Sequence, residues 1–291
     1  MMKHFHVCCD GSFGNRYSGL IGGITLARLC DLPVKVSWPS TNMCRARFYE
    51  LFSEENDLEA SDTNIREYYP IGEQYNLLSC DASYLQFFRN PGRVEPNGLN
   101  VKSLINFANS SDKPVFYYTP LLYDWIPEEE VNKTIRELRF SDDVLENVRN
   151  FLDENKLRQG YYGIHLRMTD FVNIESFDVD HWIDVVKEKS DQKFFVCSDD
   201  PATEDRFNLL SNAFSYPKKY KTEKFILEGD WHHPYIDEDG RSSVFNVERG
   251  TEHVKEAVID FLLLALSNSF DTGKQSTFLK MAKRIGKPLK S

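Results

Sequence analysis

The sequence predicts an α/β fold with two domains, and three observations support this. Its 291 residues are enough for two domains of ordinary size. An apolar strand at 5–9, a glycine-containing turn, a helical pattern at 20–29 and a second strand at 34–38 make up a βαβ unit. In the second half, short apolar strands alternate with helical patterns, which is typical of a parallel sheet.

The remaining elements follow from periodicity and from turn residues. The first half has predicted strands at 75–78 and 115–119, helices at 45–52, 127–140 and 142–154, and a polar surface loop at 53–64. The second half has predicted strands at 161–166, 194–197 and 225–227, helices at 178–189, 203–211, 251–266 and 278–284, and a polar loop at 231–247. We place the domain boundary after the helix at 142–154, which gives an N-terminal domain, 1–155, and a C-terminal domain, 156–291.

Composition excludes several classes of protein. The net charge is −10, and a nucleic-acid-binding protein would need a basic face, so we expect no nucleic-acid partner. No run of 18 apolar residues occurs, so we expect no transmembrane segment. The N-terminus lacks the long apolar region of a signal peptide, which predicts a cytoplasmic protein. No CxxC pair is present, and a structural zinc site is therefore not expected.

Three polar side chains of different chemistry lie at or just after the end of the strand at 161–166. They are His165, Arg167 and Asp170. Open α/β sheets bind ligands at the carboxyl ends of their strands, and a guanidinium there suits phosphate oxygens. The alternative is that His165 and Arg167 form a solvated pair on an edge strand.

Two glycine- or hydroxyl-containing turns precede predicted helices and could cradle an anion. Gly14, Asn15 and Arg16 belong to the turn after the first strand, where a plain tight connection is the alternative. Ser276 and Thr277 precede the last helix.

Asp260 interrupts the apolar run of the helix at 251–266. A carboxylate in so apolar a segment is costly unless it has a partner. It lies either on the exposed face of the helix or against a ligand that donates hydrogen bonds.

Taken together, these motifs resemble the GT-B fucosyltransferases, closest to the α1,6-fucosyltransferases of the core-fucosylating and rhizobial nodulation type. The protein O-fucosyltransferases are more distantly similar. The family's His-x-Arg-Arg-Thr-Asp motif reads His165-Leu-Arg-Met-Thr-Asp170 here, and Glu175 stands at the family's offset for a glutamate. Asp199 and Asp200 match a family Thr-Asp-Asp-Pro motif, and Asp260 and Ser276 keep the family's spacing. The match covers residues 160–285, and in the first half only the opening turn.

The resemblance implies a fold and a reaction. The fold is GT-B-like, with two Rossmann-like domains facing across a cleft, the first on the acceptor side and the second binding a nucleotide sugar. The reaction is an inverting, metal-independent transfer of L-fucose from GDP-fucose to a glycan hydroxyl. The partners are then a nucleotide sugar and a glycan acceptor, with neither a metal nor a cofactor.

The resemblance also implies roles for single residues. Arg167 would stabilise the leaving diphosphate, and Glu175 is the candidate base, although a loop glutamate can equally be solvated. His165 and Asp260 would hold guanine. The other implied donor-binding residues are Asp170, Ser276, Thr277, Gly14, Asn15 and Arg16. Asp199 and Asp200 would support the site from behind; a DxD metal motif is the alternative reading of these two aspartates.

Two positions depart from the family. Met168 and Phe171 replace an arginine and a lysine, so Arg249 or Lys274 would have to neutralise the diphosphate instead. The replacement leaves two alternatives open. One is a glycosyltransferase for another GDP- or UDP-sugar, and the other is a catalytically inactive glycan-binding homologue.

Overall fold

The structure is a computed structural model that describes residues 3–63, 74–79, 94, 98–168, 178–224, 226–229, 235–236, 242–243, 246–272 and 276–290. For residues 235–236, 242–243 and 271–272 it describes the backbone only.

The chain divides into two compact units. The first comprises Met1–Ser40 and Arg47–Arg139, and the second comprises Thr41–Ala46 and Phe140–Ser291. The helix Asp142–Glu154, which the sequence analysis assigns to the first domain, lies in the second unit because it packs against the helix Thr251–Leu266 there.

The first unit contains a five-stranded parallel sheet. Its strands are β1 (Phe5–Cys8), β2 (Val34–Ser37), β3 (Glu59–Ser61), β4 (Asn76–Ser79) and β5 (Val115–Tyr118), in the order β3-β2-β1-β5-β4. Its helices are α1 (Phe13–Leu29), α2 (Phe48–Leu51), α3 (Val101–Asn109) and α4 (Glu128–Glu137), with a 3-10 turn at Glu54–Asn56. The predicted loop at 53–64 therefore includes an edge strand. Its sequence, Glu-Ala-Ser, lacks the apolar residues from which strands are predicted.

Helix α1 packs tightly on this sheet. A Cβ atom at Gly19 would lie 2.4 Å from the Thr119 carbonyl oxygen, and one at Gly23 would lie 2.5 Å from the Val7 side chain. The helix begins at Phe13, seven residues before the predicted start at residue 20, because Gly11 turns the chain at a φ of +83°. The expected turn at 14–16 is therefore the first turn of this helix.

The second unit contains a four-stranded parallel sheet with helices on both faces. Its strands are β6 (Tyr162–Leu166), β7 (Phe194–Ser198), β8 (Ala213–Phe214) and β11 (Ser269–Thr272), in the order β11-β6-β7-β8; a separate antiparallel pair joins β9 (Tyr235–Ile236) to β10 (Ser242–Ser243). Its helices are α5 (Asp142–Glu154), α6 (Val179–Glu188), α7 (Pro201–Asn208), α8 (Thr251–Leu266) and α9 (Thr277–Lys290). Helix α9 runs six residues beyond the predicted end at 284.

The fourth strand is β8 rather than the predicted strand at 225–227. Phe225 lies outside the described residues, and residues 226 and 227 are not in a strand. The predicted loop at 231–247 is only partly described, as β9, β10 and residues 246–247. In the described part of the chain, no helix combines the length and the apolar character needed to cross a bilayer.

The two faces of the second sheet carry different side chains. Ile164, Leu166 and Val196 pack in a cluster with side chains of α6 and α7. Because successive strand residues point to opposite faces, His165 and Cys197 face the other side, where α8 and α9 pack.

Candidate functional site

His165 lies at the carboxyl end of β6 in an aromatic environment. Its ring stacks on Phe278 of α9, with the two centroids 5.5 Å apart. Phe278 in turn contacts Phe261 of α8 edge to face at 5.2 Å. Asp260 also belongs to α8, so the predicted imidazole and the predicted helix carboxylate are both on the side of the sheet where α8 and α9 pack.

The other residues predicted near His165 are only partly described. Arg167 is half-buried, one residue beyond the end of β6. Asp170 and Glu175 lie outside the described residues, as do Phe171 and Lys274. The roles assigned to these side chains stay predictions.

Asp199 and Asp200 both have protein partners. Asp199 Oδ1 accepts from the backbone N–H of Met168 at 2.5 Å, which ties the loop after β6 to the end of β7. Asp200 caps α7, since its Oδ2 accepts from the N–H and the hydroxyl of Thr203 at 3.0 and 2.6 Å. The Asp200 carboxylate therefore acts as a helix cap, and a supporting role for these two aspartates in a site stays a prediction.

Lys218 lies at the centre of a buried cluster that also contains Glu204 and Asp260. Its ammonium donates to Ser198 O at 2.8 Å and contacts Asp260 Oδ2 at 2.8 Å and Glu204 Oε1. An ammonium has three hydrogens, so all three are used. Glu204 Oε1 also accepts from the Ser198 N–H at 2.7 Å. We call Glu204, Lys218 and Asp260 the buried cluster.

The two carboxylate oxygens of Asp260 differ in their contacts. The residue is only 5% exposed, so the alternative of an exposed helix face is wrong. Its Oδ2 binds Lys218, whereas Oδ1 is buried and has no hydrogen-bond partner among the residues that the structure describes. Buried carboxylate oxygens are seldom left unpaired, and an unpaired one in a site needs an explanation.

The sequence analysis missed Glu204 and Lys218. Lys218 lies in a polar segment between β8 and α8 that predicts a solvated side chain. The spacing of Glu204 could have predicted its burial, because it lies three residues before the buried Phe207 and so on the same side of α7.

Burial dominates the electrostatics of the cluster. It raises the pKa of Asp260 to about 6 and the pKa of Glu204 to about 7, although Lys218 opposes both shifts. Burial acts to lower the pKa of Lys218, but the attraction of Asp260 and Glu204 outweighs it, and the pKa is raised. Burial, with Asp260 second, raises the pKa of Cys197 well above its usual value, so this thiol stays protonated at neutral pH.

We expect the stability of the protein to fall as pH rises from 4.5 to 7, in part because of Glu204. Unfolded Glu204 ionises near pH 4.5 and folded Glu204 near 7. Between these values the native state binds more protons than the unfolded state, so the free energy of unfolding decreases with pH. In Glu204→Gln this contribution is absent. Relative to this variant, the wild type should lose on the order of 2–3 kcal/mol across the window.

Urea unfolding of both proteins between pH 4.5 and 7.5 measures this difference. The exposed Glu188, changed to Gln, supplies the comparison for a carboxylate in solvent. A constant difference between wild type and Glu204→Gln across the window would contradict the buried, protonated state.

Ser276 and Thr277 begin α9. Ser276 Oγ accepts from the Leu279 N–H at 3.3 Å, which caps the helix. Because this bond uses an oxygen lone pair, the hydroxyl hydrogen remains able to donate. Thr277 is the first residue of the helix and is half-buried.

Gly14, Asn15 and Arg16 lie in the first turn of α1, which starts at the carboxyl end of β1. Gly14 is buried and Asn15 half-buried. Arg16 is fully buried: its guanidinium donates to Gly11 O at 2.7 Å and to Pro39 O at 2.6 Å, and lies 5.3 Å from the centre of the Trp38 ring. These contacts hold together the loops that follow β1 and β2. A donor-binding role for these three residues stays a prediction.

Arg249 precedes α8 and pairs through its backbone with Thr41–Ala46. Its N–H donates to Asn42 O at 2.8 Å, and its carbonyl accepts from the Arg45 N–H at 3.1 Å. The Arg45 side chain binds Glu248 at 2.9 Å, and Asn42 donates to Val247 O at 2.7 Å. These bonds explain why this early segment belongs to the second unit.

Within the described ranges, no group of three or more His, Cys, Asp or Glu side chains is arranged to hold a metal ion.

Comparison with solved structures identifies the fold. The fucosyltransferase NodZ from Bradyrhizobium matches with a TM-score of 0.60 and 14% identity, over 97% of this chain and 92% of that chain. NodZ α-1,6-fucosyltransferase soaked with GDP-fucose matches with a TM-score of 0.58 and 13% identity, over 98% and 93%. POFUT1 in complex with GDP-fucose matches with a TM-score of 0.53 and 14% identity, over 97% and 94%.

The structural likeness confirms the predicted resemblance and the predicted fold class: the chain has an α/β fold with two parallel sheets, similar to the GT-B fucosyltransferases. No protein-family model matches the sequence, and a sequence search of curated proteins also finds no match. At 13–14% identity, the likeness establishes the fold.

Proposed function

We propose that this protein is a glycosyltransferase that uses a GDP-sugar, with GDP-fucose as the donor and a glycan hydroxyl as the acceptor. The observation that carries the proposal is Asp260, a buried carboxylate with one oxygen bound by Lys218 and the other unpaired among the described residues. A buried acceptor of this kind calls for a ligand that donates hydrogen bonds. The solved structures with the same fold include complexes with GDP-fucose and GDP, which supports this choice.

Guanine suits the acceptor that Asp260 offers. Its Watson–Crick edge presents the N1–H and N2–H donors side by side, and a carboxylate accepts from such donors strongly. The His165–Phe278 stack lies on the same side of the sheet and provides a flat apolar surface with one polar edge. Asp260 would therefore select the base, and His165 would complete its pocket.

The diphosphate would be bound by groups of two kinds. Arg167 follows β6 and offers a planar fork of donors that matches phosphate oxygens. Ser276 and Thr277 open α9, where the hydroxyls and the first backbone N–H groups can face an anion. Arg249 would supply the positive charge beside the diphosphate that Met168, which replaces a family arginine, does not provide. Asp170 would complete the donor site, with Asp199 and Asp200 supporting it.

In the reaction, the bond between the anomeric carbon and the phosphate oxygen breaks while the acceptor oxygen attacks from the opposite face. The sugar gains positive charge and the departing diphosphate gains negative charge, which Arg167 would stabilise. Glu175 would take the proton of the acceptor hydroxyl, and attack from the opposite face inverts the anomeric carbon. We propose that no metal and no further cofactor takes part. Gly14, Asn15 and Arg16 would also bind the donor.

Thermal unfolding with nucleotides tests the proposal. We expect GDP and GDP-fucose at a concentration 100 times their Kd to stabilise the native state by about 2.7 kcal/mol, whereas UDP and UDP-sugars at the same concentrations leave the melting temperature unchanged. Stabilisation by UDP without GDP would overturn the assignment of the base. Release of GDP from GDP-fucose, measured with and without a panel of glycan acceptors, separates an enzyme from a binding module, which shows no turnover.

A further inference from the structure

The buried cluster holds more carboxylates than cations. Glu204 and Asp260 share one ammonium, that of Lys218, whose side chain is 9% exposed. Glu256 is the third carboxylate nearby, and its oxygens accept from the backbone N–H groups of Lys219 and Tyr220 at 2.9 and 3.3 Å. Helix α8 thus fixes both the side chain of Lys218 and the backbone that follows it.

The position of Lys218 determines which oxygen of Asp260 has no hydrogen-bond partner among the described residues. All three hydrogens of the ammonium are used, two on the carboxylates and one on Ser198 O. These three contacts with described residues leave the Lys218 ammonium no hydrogen to donate to a ligand. Lys218 also binds Oδ2 of Asp260. The other oxygen, Oδ1, has no partner among the described residues, and the bond from Lys218 to Oδ2 fixes the orientation of the carboxylate that carries it.

We propose that Lys218 is a positioning residue for base selection, which keeps Asp260 ionised and oriented. The site then accepts a base that has N–H donors at its Watson–Crick edge. It rejects a base that has a hydrogen-bond acceptor at that edge. This inference rests on the proposed function. Guanine has a donor at N1, whereas adenine has an unprotonated acceptor at the same position, which an ionised carboxylate repels. Burial already favours the neutral form of Asp260, and Lys218 is the cation that opposes it.

Removing the ammonium should therefore change selectivity as well as affinity. Without Lys218, the buried cluster keeps the carboxylates of Glu204 and Asp260 and loses its cation. The nearby Glu256 carboxylate also favours the neutral form of Asp260, so Asp260 binds a proton more readily. A neutral carboxyl can donate to adenine N1 and accept from its amino group. GDP then loses affinity while ADP gains it.

The test measures Kd for GDP and ADP by calorimetry on the full chain. In Lys218→Met we expect the Kd for GDP to rise about 10- to 100-fold and the preference for GDP over ADP to fall at least about tenfold. Lys218→Arg keeps the charge and should keep most of the preference. Lys219→Met is the matched control, because the Lys219 side chain is exposed and its backbone N–H donates to Glu256. This variant should bind both nucleotides like the wild type.

A double-mutant cycle with Asp260→Asn separates positioning from a general structural role. If Lys218 acts through Asp260, Lys218→Met should change GDP binding little in the Asp260→Asn background. If Lys218→Met does not fold, Glu204→Gln/Lys218→Met removes the excess buried charge and carries the same expectation. An unchanged GDP-to-ADP preference in a folded variant would overturn the inference. If the wild type itself fails to bind GDP, the proposed function fails instead.

Discussion

Replacing Arg167 with alanine is expected to lower kcat for transfer from GDP-fucose by about 10²- to 10³-fold, equivalent to about 3–4 kcal/mol of transition-state stabilisation. The reason is that negative charge on the diphosphate is greatest while the sugar–phosphate bond breaks. An interaction that strengthens at that point lowers kcat more than it raises KM. Release of GDP from GDP-fucose measures the effect, and calorimetry with GDP measures ground-state binding separately.

Two further variants serve as controls for the effect of Arg167→Ala. Arg167→Lys keeps the charge but loses the planar fork, so we expect an intermediate loss of turnover. Arg158→Ala removes an exposed arginine that pairs with Asp153 and should leave kcat near the wild-type value. If Arg167→Ala kept more than about half of the wild-type kcat, the assignment of the leaving-group contact to this residue would be wrong.

The second large effect concerns stability. Arg16→Met is expected to lower the free energy of unfolding by about 3–5 kcal/mol, because it leaves the carbonyls of Gly11 and Pro39 without their donor and removes a cation from the Trp38 ring. Methionine retains much of the side-chain volume, so the loss reports mainly on the polar contacts. Urea unfolding followed by circular dichroism measures it.

A matched change on the same helix provides the control. Arg28 pairs with Glu137 at 2.5 Å, but both side chains are more than one-third exposed. Arg28→Met should therefore cost no more than about 1 kcal/mol. The same pair of variants also addresses the predicted ligand role: a folded Arg16→Met protein with wild-type stability and no GDP-fucose turnover would favour that role over the structural one.

Local pattern determined most elements of the fold. The helices at 142–154 and 251–266 have the predicted bounds, because the spacing of their apolar residues is a local signal. Prediction failed where apolar periodicity gives no signal. Strand β3 is polar, and the start of α1 depends on Gly11 turning the chain.

The candidate site divides in the same way. The sequence identified Asp260 as a carboxylate out of place in an apolar helix and His165 as a polar group at the end of a strand, since residue type and spacing alone reveal such conflicts. It also carried the resemblance to the GT-B fucosyltransferases, which the fold confirms. The tertiary structure alone decided that Lys218 and Glu204 are buried together with Asp260. Partners and burial depend on residues distant in the chain, and hydrogen bonds and pKa values follow from them.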